Sequence, residues 1–295
     1  ITSSEHLEFE MLDENELANR GFELIGAVGG GSANPPRLIH LTYRGNEEPS
    51  RTLAFVGKGV TFDTGGNSMK SPEQMKHMHA DMAGGAAVLG AAEAIAAFAP
   101  EDLEVHFVVP AAENSVSRDA IRPQDIFRGH GGQSVEIDNT DAEGRLLLAD
   151  ALSYIQRQAD PDTVVDLATL TGSCVVALGE YTGGLFANDD RLEAALQTAA
   201  DLAGEELWRL PLDDRLDEKL ESPVADMRNC ADPHGGAITA ALFLRRWVDV
   251  DSWAHLDIAG PAYAREAGDF YARGGTGFGV GTLTHYTLNL AEDSP

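Results

Sequence analysis

Apolar and polar positions along the chain follow two alternating patterns. Short runs rich in Val, Ile, Leu and Phe predict buried strands at 37–43, 52–56, 104–109, 163–167 and 253–258. The apolar run 22–28 reads as another strand, and 29–36, rich in Gly and Pro, as the turn after it. A short strand is expected at 135–137 and a long loop at 110–128. Between these lie helical patterns. Residues 72–99 open with Pro72 and continue into an Ala-rich helix over 82–98. Helices are also expected at 145–158, 190–203, 235–248 and 278–290, with 1–20 a lead-in of part strand and part helix. Strands alternating with helices predict an α/β fold: a three-layer domain with a mixed, mostly parallel sheet flanked by helices. No internal repeat or boundary divides the chain, so a single domain over 1–295 is expected.

Composition narrows the partners. Hydrophobic content of 43% supplies a core, and no run resembles a membrane span or a signal peptide. Two cysteines, Cys174 and Cys230, make no disulfide framework and fit a reducing, cytoplasmic compartment. With 21 basic against 48 acidic side chains the net charge is −27, a field that repels nucleic acid and anionic membranes. So acidic a chain also fits a salt-adapted proteome. Three of its four lysines, Lys58, Lys70 and Lys76, fall within nineteen residues, a concentration that needs a reason.

The candidate chemistry begins at Asn139-Thr-Asp-Ala-Glu-Gly-Arg145. In an extended segment Asp141 and Glu143, two residues apart, face one spot, where they either bind a cation or repel each other. Taken alone, the string reads equally as a solvated turn that caps the next helix. A second cluster upstream, Lys58, Asp63, Lys70 and Asp81, changes that balance. Its glycines at 57, 59, 65 and 66 allow close backbone approach. The spacing is not that of a phosphate loop. The string His77-Met-His-Ala-Asp81 starts like a zinc motif, but Met82 stands where a further His would follow. On a helix, moreover, His77 and His79 would diverge, so they are expected to be surface histidines. Four carboxylates without His or Cys suit hard or borderline divalent ions such as Mn²⁺ or Zn²⁺. They are enough to bridge two ions about 3.5–4 Å apart, as in two-metal hydrolases. Lys58 among them reads either as a salt-bridge partner or as a neutral amine ligand.

Together the strings VGKGVTFDTGGNSMK, HADMAGGAAV, NTDAEGRLLLADAL, DLATLTG, ESPVADM, GGAITAALFL and WAHLDIAGPA closely resemble the leucyl (cytosol) aminopeptidases, bacterial aminopeptidase A type. The resemblance runs from about residue 21 to 290. It implies a dinuclear metallopeptidase that removes N-terminal residues, Leu and similar ones favoured, from peptides. By matching position, Asp63 and Glu143 would bridge two Mn²⁺ or Zn²⁺ ions. Lys58 and Asp81 would complete the tighter site and Asp141 the more exchangeable one. Lys70 would polarise the scissile carbonyl, and Arg145 would hold a bicarbonate ion as general base. Met78, Thr169, Gly172, Ala259 and Ala262 would line the pocket for the first side chain. The Leu170 carbonyl would meet the substrate amine, and Asn139 would lie on the leaving-group side. Thr64 stands where Ser is common, and Ala262 where a larger residue often sits. The resemblance further implies a homohexamer, and a catalytic domain without the N-terminal domain that members usually carry. Two other readings are a DNA-binding or architectural role, which the charge disfavours, and a fold-only homologue, which seven intact polar positions disfavour.

Overall fold

Consecutive residues of a strand face opposite sides of a sheet, so a strand buried on both sides must be apolar throughout. That is the state of residues 53–57 of β3 (Arg51–Gly57) in the computed structural model, which describes residues 6–268 and 271–292. Leu53 and Phe55 belong to one core, Ala54 and Val56 to the other. The other strands are β1 (Leu7–Leu12), β2 (Arg37–Arg44), β4 (Gly59–Asp63), β5 (Leu103–Asn114), β6 (Ile126–Arg128), β7 (Ser134–Glu136), β8 (Thr163–Ala168), β9 (Thr182–Ala187), β10 (Glu206–Arg209), β11 (Met227–Arg228), β12 (Trp253–Asp257), β13 (Tyr263–Ala264) and β14 (Gly274–Gly275). Among the described residues the main sheet runs β1-β2-β5-β3-β8-β12-β9-β10, with β4 extending the β3 side of β5. The β4–β5, β5–β3, β3–β8, β8–β12 and β9–β10 pairs are parallel, while β1–β2, β2–β5 and β12–β9 are antiparallel. The mixed, mostly parallel sheet is as expected.

Helices cover both faces. One face carries α1 (Glu14–Asn19), α2 (Glu23–Gly29), α5 (Gly144–Ala159) and α8 (Gly236–Arg245); the other carries α4 (Ala83–Phe98), α7 (Asp190–Ala203) and α9 (Val280–Glu292). Short α3 (Pro72–Met75) and α6 (Gly172–Leu178) stand at the sheet's end. The Met78–Phe98 segment is apolar and long enough to cross a membrane by composition alone. Its apolar face is instead taken up by the sheet: Ala87, Val88, Ala91, Ala92 and Ile95 are fully buried there. Gly84 lets α4 touch the strand ends, since a Cβ at that position would lie 2.2 Å from the Leu167 carbonyl oxygen.

Three local expectations are corrected. Of the strand expected at 22–28, residues 23–28 lie in α2 and Phe22 just ahead of it: Leu24, Ile25, Ala27 and Val28 are all buried, and a short, nearly continuous apolar run lacks a period to separate the two forms. Of the expected loop 110–128, residues 110–114 are instead the last five of β5 and 126–128 form β6. Pro110 is tolerated there because it lies where β5 exchanges one parallel partner for another, between Val56↔Val108 and Gly59↔Ala111, where no neighbour needs its missing N–H. Nor do His77 and His79 diverge. His77 is left-handed (φ 69°) and 78–80 is a 3₁₀ turn, so both exposed rings pack on Tyr263, 5.0 and 5.7 Å away.

Candidate metal centre

Parallel strands deliver their carboxyl ends to one side of a sheet, and open α/β sheets place their sites there. Lys58 follows β3, Asp63 ends β4, and Thr169 follows β8. Asp81 arrives just ahead of α4, with Asp141 and Glu143 just ahead of α5. Asp63, Asp81 and Glu143 are buried, and one oxygen from each lies within 4.8 Å of the others. Lys58 Nζ sits among them, 2.8 Å from Asp81 Oδ1, 2.8 Å from Glu143 Oε1 and 3.0 Å from the Thr169 carbonyl. Lys70 Nζ joins the remaining acid, 2.9 Å from Asp63 Oδ2 and 2.6 Å from Asp141 Oδ1.

Backbone geometry makes this convergence possible. Gly65 is left-handed (φ 84°), which turns the chain after β4 back so that its N–H donates to Asp63 Oδ1 at 2.8 Å. A Cβ on Gly144 would lie 2.5–2.7 Å from the end of the Lys58 side chain, so the glycine of the Asn139–Arg145 string is the space Lys58 occupies. Residues that the sequence did not single out hold the two loops. Asn114 Nδ2 donates to Asp63 Oδ1 and to the Thr140 carbonyl. Fully buried Asn229 accepts from the N–H groups of Asp138 and Asn139 and donates to the carbonyls of Asn139 and Ala142. These are ordinary Asn residues, 90 positions away in the case of Asn229, and nothing local in the sequence signals them.

Charge does not balance among these side chains. Four carboxylates face two lysines and Arg145, which leaves one negative charge in a buried space. Burial pushes the Asp81, Asp141 and Glu143 carboxyls above their ordinary range, although Lys58 or Lys70 opposes it in each case. Burial alone would lower both lysines, but the acids around them outweigh it and hold both ammonium groups above their usual value. Asp81 Oδ2 is buried without any hydrogen-bond donor. Glu143 Oε1 and Asp141 Oδ1 have only a lysine ammonium beside them, at 2.8 and 2.6 Å. A buried carboxylate oxygen lacking a donor, with negative charge in excess around it, fits a divalent cation. Arg145 is buried too; Nη1 donates to the Asn229 carbonyl at 2.9 Å, while Nε has no partner, which leaves the guanidinium able to take an anion.

A cleft of about 730 Å³ opens above the cluster. All fourteen residues singled out from the sequence line it: Lys58, Asp63, Lys70, Met78, Asp81, Asn139, Asp141, Glu143, Arg145, Thr169, Leu170, Gly172, Ala259 and Ala262. Lys76 lines it as well, so the three lysines within nineteen residues share one cleft. Cys230, Asp232 and Glu180 were not foreseen and complete its rim. Asp141 Oδ1 lies beside Lys70 rather than against Glu143, so the two acids of the string reach the cluster through different lysines.

Fold and site together define the class: a three-layer α/β domain with a buried carboxylate–lysine cluster at the strand ends, suited to cations. Comparison with known proteins then fixes the family. Residues 1–284 match the model of the cytosol aminopeptidase family, catalytic domain. A probable cytosol aminopeptidase of Aquifex aeolicus is 47% identical over 289 residues, covering 97% of this chain and 58% of that protein. One from Synechococcus sp. (strain JA-3-3Ab) is 49% identical over 284 residues, 96% and 55% of the two chains. One from Persephonella marina is 47% identical over 284 residues, 96% and 56%. The chain belongs to the cytosol aminopeptidase family, and it spans somewhat more than half the length of these relatives.

Proposed function

We propose that this domain hydrolyses the N-terminal residue from peptides, with a preference for Leu and similar apolar residues. The observation that carries the reading is the convergence of Asp63, Asp81 and Glu143, with donor-poor buried oxygens, on the floor of a peptide-sized cleft. Asp63 and Glu143 would hold two divalent ions between them, Lys58 and Asp81 completing one position and Asp141 the other. When bound, Mn²⁺ or Zn²⁺ would lower the pKa of water to make a nucleophile and act as a Lewis acid.

The chain's own residues do the rest. Lys70, its ammonium held charged by Asp63 and Asp141, is placed to stabilise the oxyanion that develops on the scissile carbonyl. Arg145, whose Nη1 is held by the Asn229 carbonyl while Nε has no partner, would hold a bicarbonate ion, which would supply the general base. Met78, Thr169, Gly172, Ala259 and Ala262 receive the first side chain, the Leu170 carbonyl accepts from the substrate amine, and Asn139 lies towards the leaving group. Dependence on a free amine makes the activity an exopeptidase. The family resemblance extends the reading to a homohexamer, which sedimentation finding only monomer would exclude.

The test uses metal-stripped protein, a dipeptide beginning with Leu, and its N-acetylated form. Release of leucine only after Mn²⁺ or Zn²⁺ is added, and only from the free amine, is expected. Cleavage of the acetylated peptide, or full activity in excess chelator, would overturn the reading.

A further inference from the structure

Asp257, the last residue of β12, is fully buried and does not itself line the cleft, yet it holds two segments that do. Its Oδ1 accepts from the Leu170 N–H at 3.2 Å, the Thr171 N–H at 3.4 Å and the Ala259 N–H at 3.2 Å. Its Oδ2 accepts from the Thr171 hydroxyl at 2.7 Å. One carboxylate thus ties the turn after β8 to the turn after β12. A trans peptide unit is planar, with its C=O opposite its N–H, so fixing an N–H aims the carbonyl of the residue before it. The Thr169 carbonyl and the Leu170 N–H share one such unit, stretched between Lys58 Nζ, 3.0 Å from the carbonyl, and Asp257. The Leu170 carbonyl and the Thr171 N–H share the next. With its N–H turned to buried Asp257, that unit points the Leu170 carbonyl the opposite way. The Leu170 side chain packs on the core although the residue lines the cleft, so its backbone is what faces the cleft.

We propose that Asp257 is the positioning residue for the substrate's free amine: by clamping the 169–171 turn it keeps the Leu170 carbonyl aimed at that amine. The inference rests on the aminopeptidase reading and assigns a cause to its amine selectivity. Thr169 anchors the other side of the turn. Its Oγ1 donates to Asp81 Oδ1 at 2.7 Å and its carbonyl is taken by Lys58, so the carbonyl left for the amine is that of Leu170. With Asp257 truncated, the unit joining Leu170 to Thr171 loses the bond at its N–H and can rotate, which takes its carbonyl off the amine while the Lys58 contact stays. Asparagine at 257 keeps one oxygen for the three amides and turns an NH₂ group to the Thr171 hydroxyl, which can accept as well as donate.

The experiment reads amine selectivity in binding, without turnover. Calorimetric Kd values are measured on metal-loaded protein for L-leucinol and for 4-methylpentan-1-ol, the same molecule without its amine, with wild type, Asp257→Asn and Asp257→Ala. A general loosening of the cleft weakens both ligands and leaves their ratio alone, whereas a misaimed carbonyl weakens leucinol only. The ratio is expected to favour leucinol in wild type, to fall about fivefold or more in Asp257→Ala, the scale of one hydrogen bond, and to stay within about twofold in Asp257→Asn. An unchanged ratio in Asp257→Ala, or one that falls as far in Asp257→Asn, would overturn the inference while leaving the activity standing. Should Asp257→Ala fail to fold, amide hydrogen exchange in the wild type decides. Slow exchange at Leu170, Thr171 and Ala259 supports the clamp, and exchange as fast as in exposed loops overturns it. Wild type that binds the two ligands equally would overturn the aminopeptidase reading instead.

Discussion

Glu205 offers a sharp test of how this fold is held together. It sits between α7 and β10 in the chain, yet its carboxylate caps α9, some 75 residues later. Oε1 accepts from the Gly279 N–H at 2.9 Å; Oε2 accepts from the Thr282 N–H at 3.0 Å and from the Thr282 hydroxyl. Glu205 is 7% exposed and Thr282 fully buried, so water cannot replace these bonds cheaply. Glu205→Ala strands two backbone donors and a hydroxyl at the positive end of a helix. Each stranded donor costs about 1–3 kcal/mol, and partial rescue by the rotating hydroxyl brings the sum to about 3 kcal/mol. At about 2–3 °C per kcal/mol for a chain of this size, Tm falls by about 6–9 °C. Glu205→Gln keeps one acceptor in place and should recover part of the loss. Urea denaturation and calorimetry give the two numbers, and hydrogen exchange should show the early amides of α9 opening first. Because Glu205 does not line the cleft, peptide hydrolysis at low temperature should be unaffected. Two results would refute the reasoning: a loss below about 0.5 kcal/mol, the range of ordinary surface substitutions, or Gln no better than Ala.

Gly144→Ala should test the place of Lys58. Its new Cβ would collide with the end of the buried Lys58 side chain and push it off Asp81 and Glu143, so activity should fall at least about a hundredfold and Tm should fall by several degrees; a fully active variant would show that Lys58 is not needed where it stands. Acid stability should report on His40. Burial, with His106 adding to it and Glu104 opposing, lowers His40 from 6.5 to about 4. A histidine depressed in the fold is protonated more readily when unfolded, so its contribution is fully present above pH 6.5 and is lost as pH falls from there towards 4. The loss is about 3 kcal/mol, and His40→Gln should flatten that part of the stability profile, measured as denaturation midpoint against pH. A profile unchanged by the substitution would place the acid transition elsewhere.

Long elements with a clear period were legible from the chain. The helix expected at 190–203 coincides with α7, those at 82–98 and 145–158 match α4 and α5 within a residue, and β3, β8 and β12 fall where apolar runs placed them. The misreadings have a common cause. Residues 22–28 and 110–114 owe their form to neighbours distant in sequence, one packed under α5, the other passed between two strands. The site divides in the same way. Residue types and their grouping at 58–81 and 139–145 were enough to nominate every side chain of the cluster, because carboxylates and lysines concentrated among glycines have few other uses. Asn114, Asn229 and Glu205 carry no such mark, since each works on backbone groups that only folding brings near.

Taken by itself, then, the order of residues determined the layers, the period of each long element and the chemistry available at two loops. Tertiary structure decided which acid meets which lysine, that Gly144 is space for Lys58, and that Asn229 ties down the turn carrying Asp141. The physical reason is range. Periodicity and turn chemistry act over a few residues, whereas burial, desolvation and shape depend on what the folded sheet brings together.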